Sequence, residues 1–148
     1  MKAVIQRVKF ARVKVQGETV AEIGHGLLVL LGIGKGDGEE DIHWLANKII
    51  NLRVFEDEAG KFNYSLLNVG GEILLVSQFT LYADCRKGRR PSFDSAMQAD
   101  EAEDIFNAFF DYLKAQGIKV QKGIFGGRME IELLNYGPVT IILDSRER

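Results

Sequence analysis

Ile73-Leu74-Leu75-Val76, followed without a break by Ser77-Gln78-Phe79-Thr80-Leu81-Tyr82, is the stretch on which the fold turns. Four apolar residues in a row behind Gly70-Gly71 predict a short strand covered on both faces. Such a strand is expected inside an α/β protein. Polar side chains arriving at its end mark the place where these proteins commonly put their chemistry. Just downstream, Arg86-Lys87-Gly88-Arg89-Arg90 sets four cations within five residues. A polar strand end beside a cationic loop points to a site for a large anion.

Around this stretch the pattern alternates between strands and helices. Residues 2–23 carry Val4, Gln6 and Val8, then Val13 and Val15 against Lys and Arg. They read as two half-buried strands with a short third at 20–23 after Gly17-Glu18. Leu27-Leu28-Val29-Leu30-Leu31 predicts a second fully buried strand. Ile42, Leu45, Ala46, Ile49 and Leu52 hold helical spacing, with Asp37 and Glu40 in a capping-box pattern ahead of them. Arg53-Val54-Phe55 reads as a strand, and 56–71 as loop and irregular chain. Asp100 and Glu103 repeat the capping pattern before Ala102, Ile105, Phe106, Phe109 and Leu113, a helix closed by Gly117. Three further strands are expected at 118–121, 129–134 and 139–143. The expected class is α/β: a single compact domain over 1–148, a mixed β-sheet or partial barrel of about eight strands with two long helices.

Composition narrows the function. Hydrophobic residues are 46% and charged residues 27% of the 148, an ordinary globular balance. The one cysteine, Cys85, excludes a disulfide framework and a cysteine-based zinc site. No apolar run approaches the roughly 20 residues of a membrane span, and Met1 leads straight into a strand pattern. A cytoplasmic protein with no membrane partner is expected. The net charge is −2, so any anion binding must be local.

Several familiar chemistries fit poorly. Gly32-Ile33-Gly34-Lys35-Gly36-Asp37-Gly38 stands between a strand and a helix, where phosphate-binding turns occur. Its spacing matches neither standard pattern, and Asp37, Glu39 and Glu40 would repel phosphate; a flexible turn is the expectation. His25 and His43 are the only histidines, without ligand spacing around them, and His43 reads as solvated. No metal and no Ser-His-Asp triad is expected. Cys85 lies beside Arg86 and Lys87 but lacks an evident base.

Asn135-Tyr136-Gly137-Pro138-Val139-Thr140 falls between two strand candidates. Gly-Pro pairs usually make turns. A cis bond there would instead point two carbonyl oxygens the same way, an arrangement seen at only about 5–6% of X-Pro bonds.

Together, the 77–84, 86–93 and 135–140 segments closely resemble the signatures of the D-aminoacyl-tRNA deacylase family. Ala3-Val4-Ile5-Gln6-Arg7-Val8 and Asn51-Leu52-Arg53-Val54-Phe55 resemble it as well, so the likeness spans essentially the whole chain. Tyr136 stands where the family commonly has Asp, and Gly127 where it usually has Ala. The resemblance implies a cofactor-free homodimer that hydrolyses the ester joining a D-amino acid, or glycine, to the 3′ end of tRNA. Its nucleic-acid partner would be tRNA rather than DNA. Ser77, Gln78, Phe79 and Thr80 of one subunit would form the catalytic part. Gly137 and Pro138 of the other, joined by a cis bond, would exclude L side chains. Arg7 would help hold that motif, Met129 would lie near the pocket, and Arg86, Lys87, Arg89 and Arg90 would meet tRNA phosphates. Thr80 offers a hydroxyl, but no His or Lys in the motif is placed to deprotonate it. The family's favoured account has the 2′-hydroxyl of the terminal adenosine assist attack. Competing readings are a non-catalytic RNA-binding module and a thiol hydrolase using Cys85.

Overall fold

A computed structural model describes residues 1–148. The chain runs β1 (Lys2–Val15), β2 (Glu18–Ile23), β3 (Gly26–Gly32), α1 (Glu39–Asn51), β4 (Phe55–Glu56), β5 (Phe62–Tyr64), α2 (Leu66–Val69), β6 (Glu72–Ser77), α3 (Ala99–Ala115), β7 (Lys119–Lys122) and β8 (Glu130–Asp144). Short 3-10 turns occupy Phe79–Tyr82 and Ser145–Glu147. Six strands join in the order β2-β1-β3-β6-β7, with β8 on the free edge of β1; β4 and β5 form a separate ribbon. The β3–β6 and β6–β7 pairs are parallel and the rest antiparallel, so the sheet is mixed and curls into a nearly closed barrel.

β6 is buried on both faces, as its four apolar residues predict. Ile73 and Leu75 point with Ala3, Ile5, Leu27, Val29 and Leu31 into the layer covered by α1 and α3. Leu45 and Ile49 of α1 and Phe106, Phe109 and Leu113 of α3 supply the apolar faces of that cover. Leu74 and Val76 point the other way, into the curled sheet, with Val8, Val13, Ile23 and Leu28. Met129, Ile131 and Leu133 pack against that second cluster.

Several elements differ from the sequence expectation. Residues 2–15 are one strand rather than two: its ladder with β8 shifts register between Gln6 and Val8 and again between Val8 and Ala11, and the buried positions run Ala3, Ile5 and Arg7, then Val8, Ala11 and Val13. The first helix is capped at Gly38, whose N–H donates to the Asp41 carboxylate at 2.9 Å, not by Asp37 and Glu40. Asp37 is buried instead. The second long helix begins at Ala99 behind Gln98, which makes no side-chain cap, and Asp100 sits within its first turn. The strand expected at 53–55 shrinks to Phe55–Glu56, and the 56–71 region holds β5 and α2.

The largest departure is at 135–140, where β8 passes through without ending. Between the pairs Gln6↔Thr140 and Val8↔Asn135, only Arg7 of β1 faces residues 136–139. The surplus residues loop out of the ladder. Asn135 bridges the gap: its Oδ1 accepts the Val139 N–H at 2.8 Å and its Nδ2 donates to the Val139 carbonyl at 3.1 Å. A side-chain amide thus stands in for the missing strand pairing. No helix is long and apolar enough to cross a membrane.

Candidate active site

Parallel pairing of β3 with β6 sets Ser77 opposite Leu31 at the strand ends. There the chain turns: Gln78 N–H donates to the Leu31 carbonyl at 2.8 Å, and Phe79–Tyr82 forms the 3-10 turn. As the first residues of a helical turn, Phe79 and Thr80 have N–H groups with no acceptor inside it. The Gln78 side-chain amide donates to the Thr80 hydroxyl. Ser77 and Gln78 are half-buried; Phe79 and Thr80 are exposed.

Beside this turn lies a cavity of about 540 Å³. Ser77, Gln78 and Phe79 line one side, Met97 and Gln98 another, and Gly126, Gly127 and Met129 a third. Apolar walls with a few polar groups at one end are the usual make-up of a small-molecule site. Met129 is therefore in the cavity wall, whereas Thr80 is not among its lining residues. Sequence reasoning missed Phe93, Met97 and Phe125 here. Phe93 packs edge-on against Phe79, ring centroids 5.0 Å apart, and only its place just after the basic loop hinted at it.

The glycine run has a packing role rather than a phosphate-binding one. A Cβ on Gly32 would stand 3.0 Å from the Gln78 carbonyl oxygen, and one on Gly34 would fall 2.6 Å from the Tyr82 ring. Lacking side chains, both let the 3-10 turn sit directly on the segment after β3. Tyr82 is buried at the end of that turn, its hydroxyl 3.3 Å from an Asp37 carboxylate oxygen. Burial, with the Asp37 charge beside it, pushes the phenol well above its ordinary range, so it remains a proton donor.

The basic loop is exposed. Arg86 is engaged, donating from Nε at 2.8 Å and from a terminal nitrogen at 2.6 Å to the two Asp84 oxygens. That pairing holds the Asp84 carboxyl down at about 2. Lys87, Arg89 and Arg90 make no salt bridge within the chain. Cys85 is exposed, and His43 stacks on Tyr112 with ring centroids 4.6 Å apart.

Gly137 and Pro138 lie elsewhere. Their peptide bond is cis, and both residues are exposed on the β8 bulge. Arg7, only 1% exposed, supports them from beneath. Its Nε donates to the Tyr136 carbonyl at 2.8 Å and its Nη1 to the Val54 carbonyl at 2.7 Å. The Tyr136 ring covers the guanidinium, 4.7 Å from its carbon. Gly137 has φ +138°, and a Cβ there would stand 2.8 Å from the Arg7 guanidinium. Ile131, the last β8 residue in the cavity wall, pairs with Val13 of β1, whereas the Gly-Pro bulge faces Arg7, six residues away along β1. Six strand residues span about 20 Å. Within one protomer the cavity and the Gly-Pro bulge are therefore apart.

Known proteins place this architecture in a family. The D-Tyr-tRNA(Tyr) deacylase profile matches residues 4–144. The chain is 58% identical over 147 residues to the D-aminoacyl-tRNA deacylase of Aquifex aeolicus, covering 99% of each. It is 59% identical over 148 residues to that of Dehalococcoides mccartyi strain BAV1, covering 100% of this chain and 97% of the relative. Among solved structures, one described as c-Myc DNA Unwinding Element Binding Protein superposes with a TM-score of 0.92 at 44% identity, over 97% of this chain and 98% of its own. A probable eukaryotic D-amino acid tRNA deacylase shares the fold at 17% identity, with a TM-score of 0.81 over 96% of this chain and 97% of its own. The fold and the relatives define a hydrolase that edits aminoacyl-tRNA. The chain belongs to the D-aminoacyl-tRNA deacylase family.

The support beneath the bulge is testable by itself. Gly137→Ala places a side chain at positive φ against Arg7 and should cost about 1–3 kcal/mol in urea unfolding. A variant as stable as the parent would show that the bulge tolerates a Cβ and that Arg7 is not its fixed support.

Proposed function

We propose that this protein cleaves the ester of D-aminoacyl-tRNA at the 77–80 cavity, in a site completed by Gly137-Pro138 from a second copy of the chain. The observation that carries the shared site is that the cavity wall at Ile131 and the exposed Gly-Pro bulge lie six β1 residues apart, about 20 Å at a strand's rise per residue. The outer face of β8 supports a second copy. Leu134, Tyr136 and Ile142 are 48%, 39% and 74% exposed there, a run of large apolar side chains beside the bulge. A two-fold arrangement uses the same face of each partner and forms two equivalent sites.

In this reading the two carbonyl oxygens of the Gly-Pro element face the substrate α-carbon. An L side chain would overlap them, whereas the hydrogen of a D-residue or of glycine would not. Selection by repulsion tests handedness without testing side-chain identity, which suits an enzyme acting on many D-amino acids. The same rule leaves glycyl-tRNA unprotected.

Ester hydrolysis needs an activated oxygen nucleophile and donors for the developing oxyanion. The Phe79 and Thr80 N–H groups serve as those donors, and Gln78 orients the ester end. Activation comes from the RNA: the terminal 2′-hydroxyl assists attack, because Thr80 has only the Gln78 amide as its side-chain partner and no base. Lys87, Arg89 and Arg90 contact nearby phosphates, while Arg86, tied to Asp84, shapes the loop. The 44% identical solved structure carries a DNA-binding description. For this chain RNA is the nucleic acid, since the scissile ester sits on the 3′ end of tRNA.

Two experiments test the reading. Incubation with D-tyrosyl-tRNA and L-tyrosyl-tRNA should release tyrosine from the first alone; release from both would overturn the handedness filter, and release from neither would favour a binding module. In the second, Thr80→Ala should retain activity within about tenfold, whereas tRNA ending in 2′-deoxyadenosine should lose at least the hundredfold typical of a missing general base. The reverse pattern would make Thr80 the nucleophile.

A further inference from the structure

Asp37 is the most heavily used side chain outside the residues already assigned. Its carboxylate is 2% exposed. One oxygen accepts the Gly34 N–H at 2.7 Å, stands 2.7 Å from the Met1 α-ammonium and 3.3 Å from the Tyr82 hydroxyl. The other oxygen lies 3.2 Å from the Arg146 guanidinium. A buried carboxylate is tolerable only with this kind of provision, and here the partners come from four separate segments.

Two of those segments are walls of the cavity. Tyr82 closes the Phe79–Tyr82 turn, and its ring rests on Gly34 with no room for a side chain between them. Gly34 belongs to the strip that binds the opposite wall: Lys35 N–H donates to the Ser95 carbonyl and Met97 N–H to the Ile33 carbonyl, each at 3.0 Å. Ile33 and Met97 both line the cavity. A single carboxylate therefore ties the turn carrying Phe79 and Thr80 to the strip that holds the 95–97 wall. Lys2 and Arg146 flank the Tyr82 ring, at 5.0 and 5.7 Å from its centroid, and restrain it further.

We propose that Asp37 and Tyr82 are positioning residues of the deacylation site: the Asp37 carboxylate, holding the Tyr82 hydroxyl and the Gly34 N–H, sets the Phe79–Thr80 N–H groups against the 95–97 wall. The proposal rests on the reading that the reaction occurs in this cavity. Neither side chain touches substrate. Their effect is on geometry, and oxyanion donors are sensitive to geometry: displacement by about 1 Å can cost a hundredfold in rate.

The decisive variant is Tyr82→Phe, which removes one oxygen and keeps the ring that packs on Gly34. On D-tyrosyl-tRNA it should lower kcat by about tenfold and leave KM within about twofold, the pattern of an interaction exerted in the transition state. Asp37→Asn should lower kcat at least as far. The double variant should be no slower than Asp37→Asn alone, because both changes break one linkage. Leu113→Ala, a core truncation at the far end of α3 from the cavity, serves as the stability control: it should lower Tm and leave kcat unchanged at a temperature where every variant is folded.

If Asp37→Asn does not fold, Tyr82→Phe against Leu113→Ala still decides the matter. Tyr82→Phe with parental kcat would overturn the proposal, as would an equal kcat loss in Leu113→Ala. Gln78→Ala, run in the same assay, separates the two levels. If Gln78→Ala is fully active, the cavity is not the site and both readings fall. If it is inactive while Tyr82→Phe matches the parent, only the positioning role falls.

Discussion

A buried guanidinium governs where this molecule can place its most unusual backbone. Arg7 sits inside the sheet layer, and a cation there must find acceptors. It takes them from places far apart in sequence: the Tyr136 carbonyl on the β8 bulge and the Val54 carbonyl just before β4, with Glu56 3.6 Å away. The bulge, the ribbon and the central strand are thereby locked together through one side chain. Because the guanidinium fills the space beneath Gly137, the loop can only project outward. The outward projection keeps the Gly-Pro element available to something other than its own cavity.

The second constraint is the parallel β3–β6 pair. It ends both strands together, so that Ser77 and Leu31 deliver the chain to the same rim. Gly32 and Gly34 then allow the 3-10 turn to lie on the strip beyond β3, and Asp37 secures that contact from below. Backbone N–H groups at the start of a helical turn are a chemical resource only when the turn is held still. Packing at the glycines and the buried carboxylate supply that rigidity.

Much of the fold was legible in the sequence because it follows from local patterning. Runs such as 27–31 and 73–76 declare buried strands, and the apolar faces of α1 and α3 keep helical spacing. What was not legible depended on partners distant in sequence. An acid ahead of a helix reads as a cap, so Asp37 gave no sign of its burial against Tyr82, Arg146 and Met1. Gly137-Pro138 reads as a turn because proline lacks the N–H that a ladder needs; only the Asn135 amide, reaching Val139, lets the strand continue. Of the residues the family resemblance proposes, Ser77, Gln78, Phe79 and Met129 line the cavity and Thr80 does not, whereas Phe93 and Met97 reach it through a loop whose path no periodicity encodes.

The central claim is that each site draws on two copies of the chain, and complementation tests it most directly. Gly137→Ala and Gln78→Ala, each deficient alone, are co-refolded in equal amounts and assayed on D-tyrosyl-tRNA. If the halves of the site come from different subunits, half of the dimers carry one intact site in two. Activity should then return to about a quarter of the parental value, as random pairing of a two-fold dimer requires. No recovery above the two separate variants, with mixed dimers present, would place both halves in one chain and contradict the account.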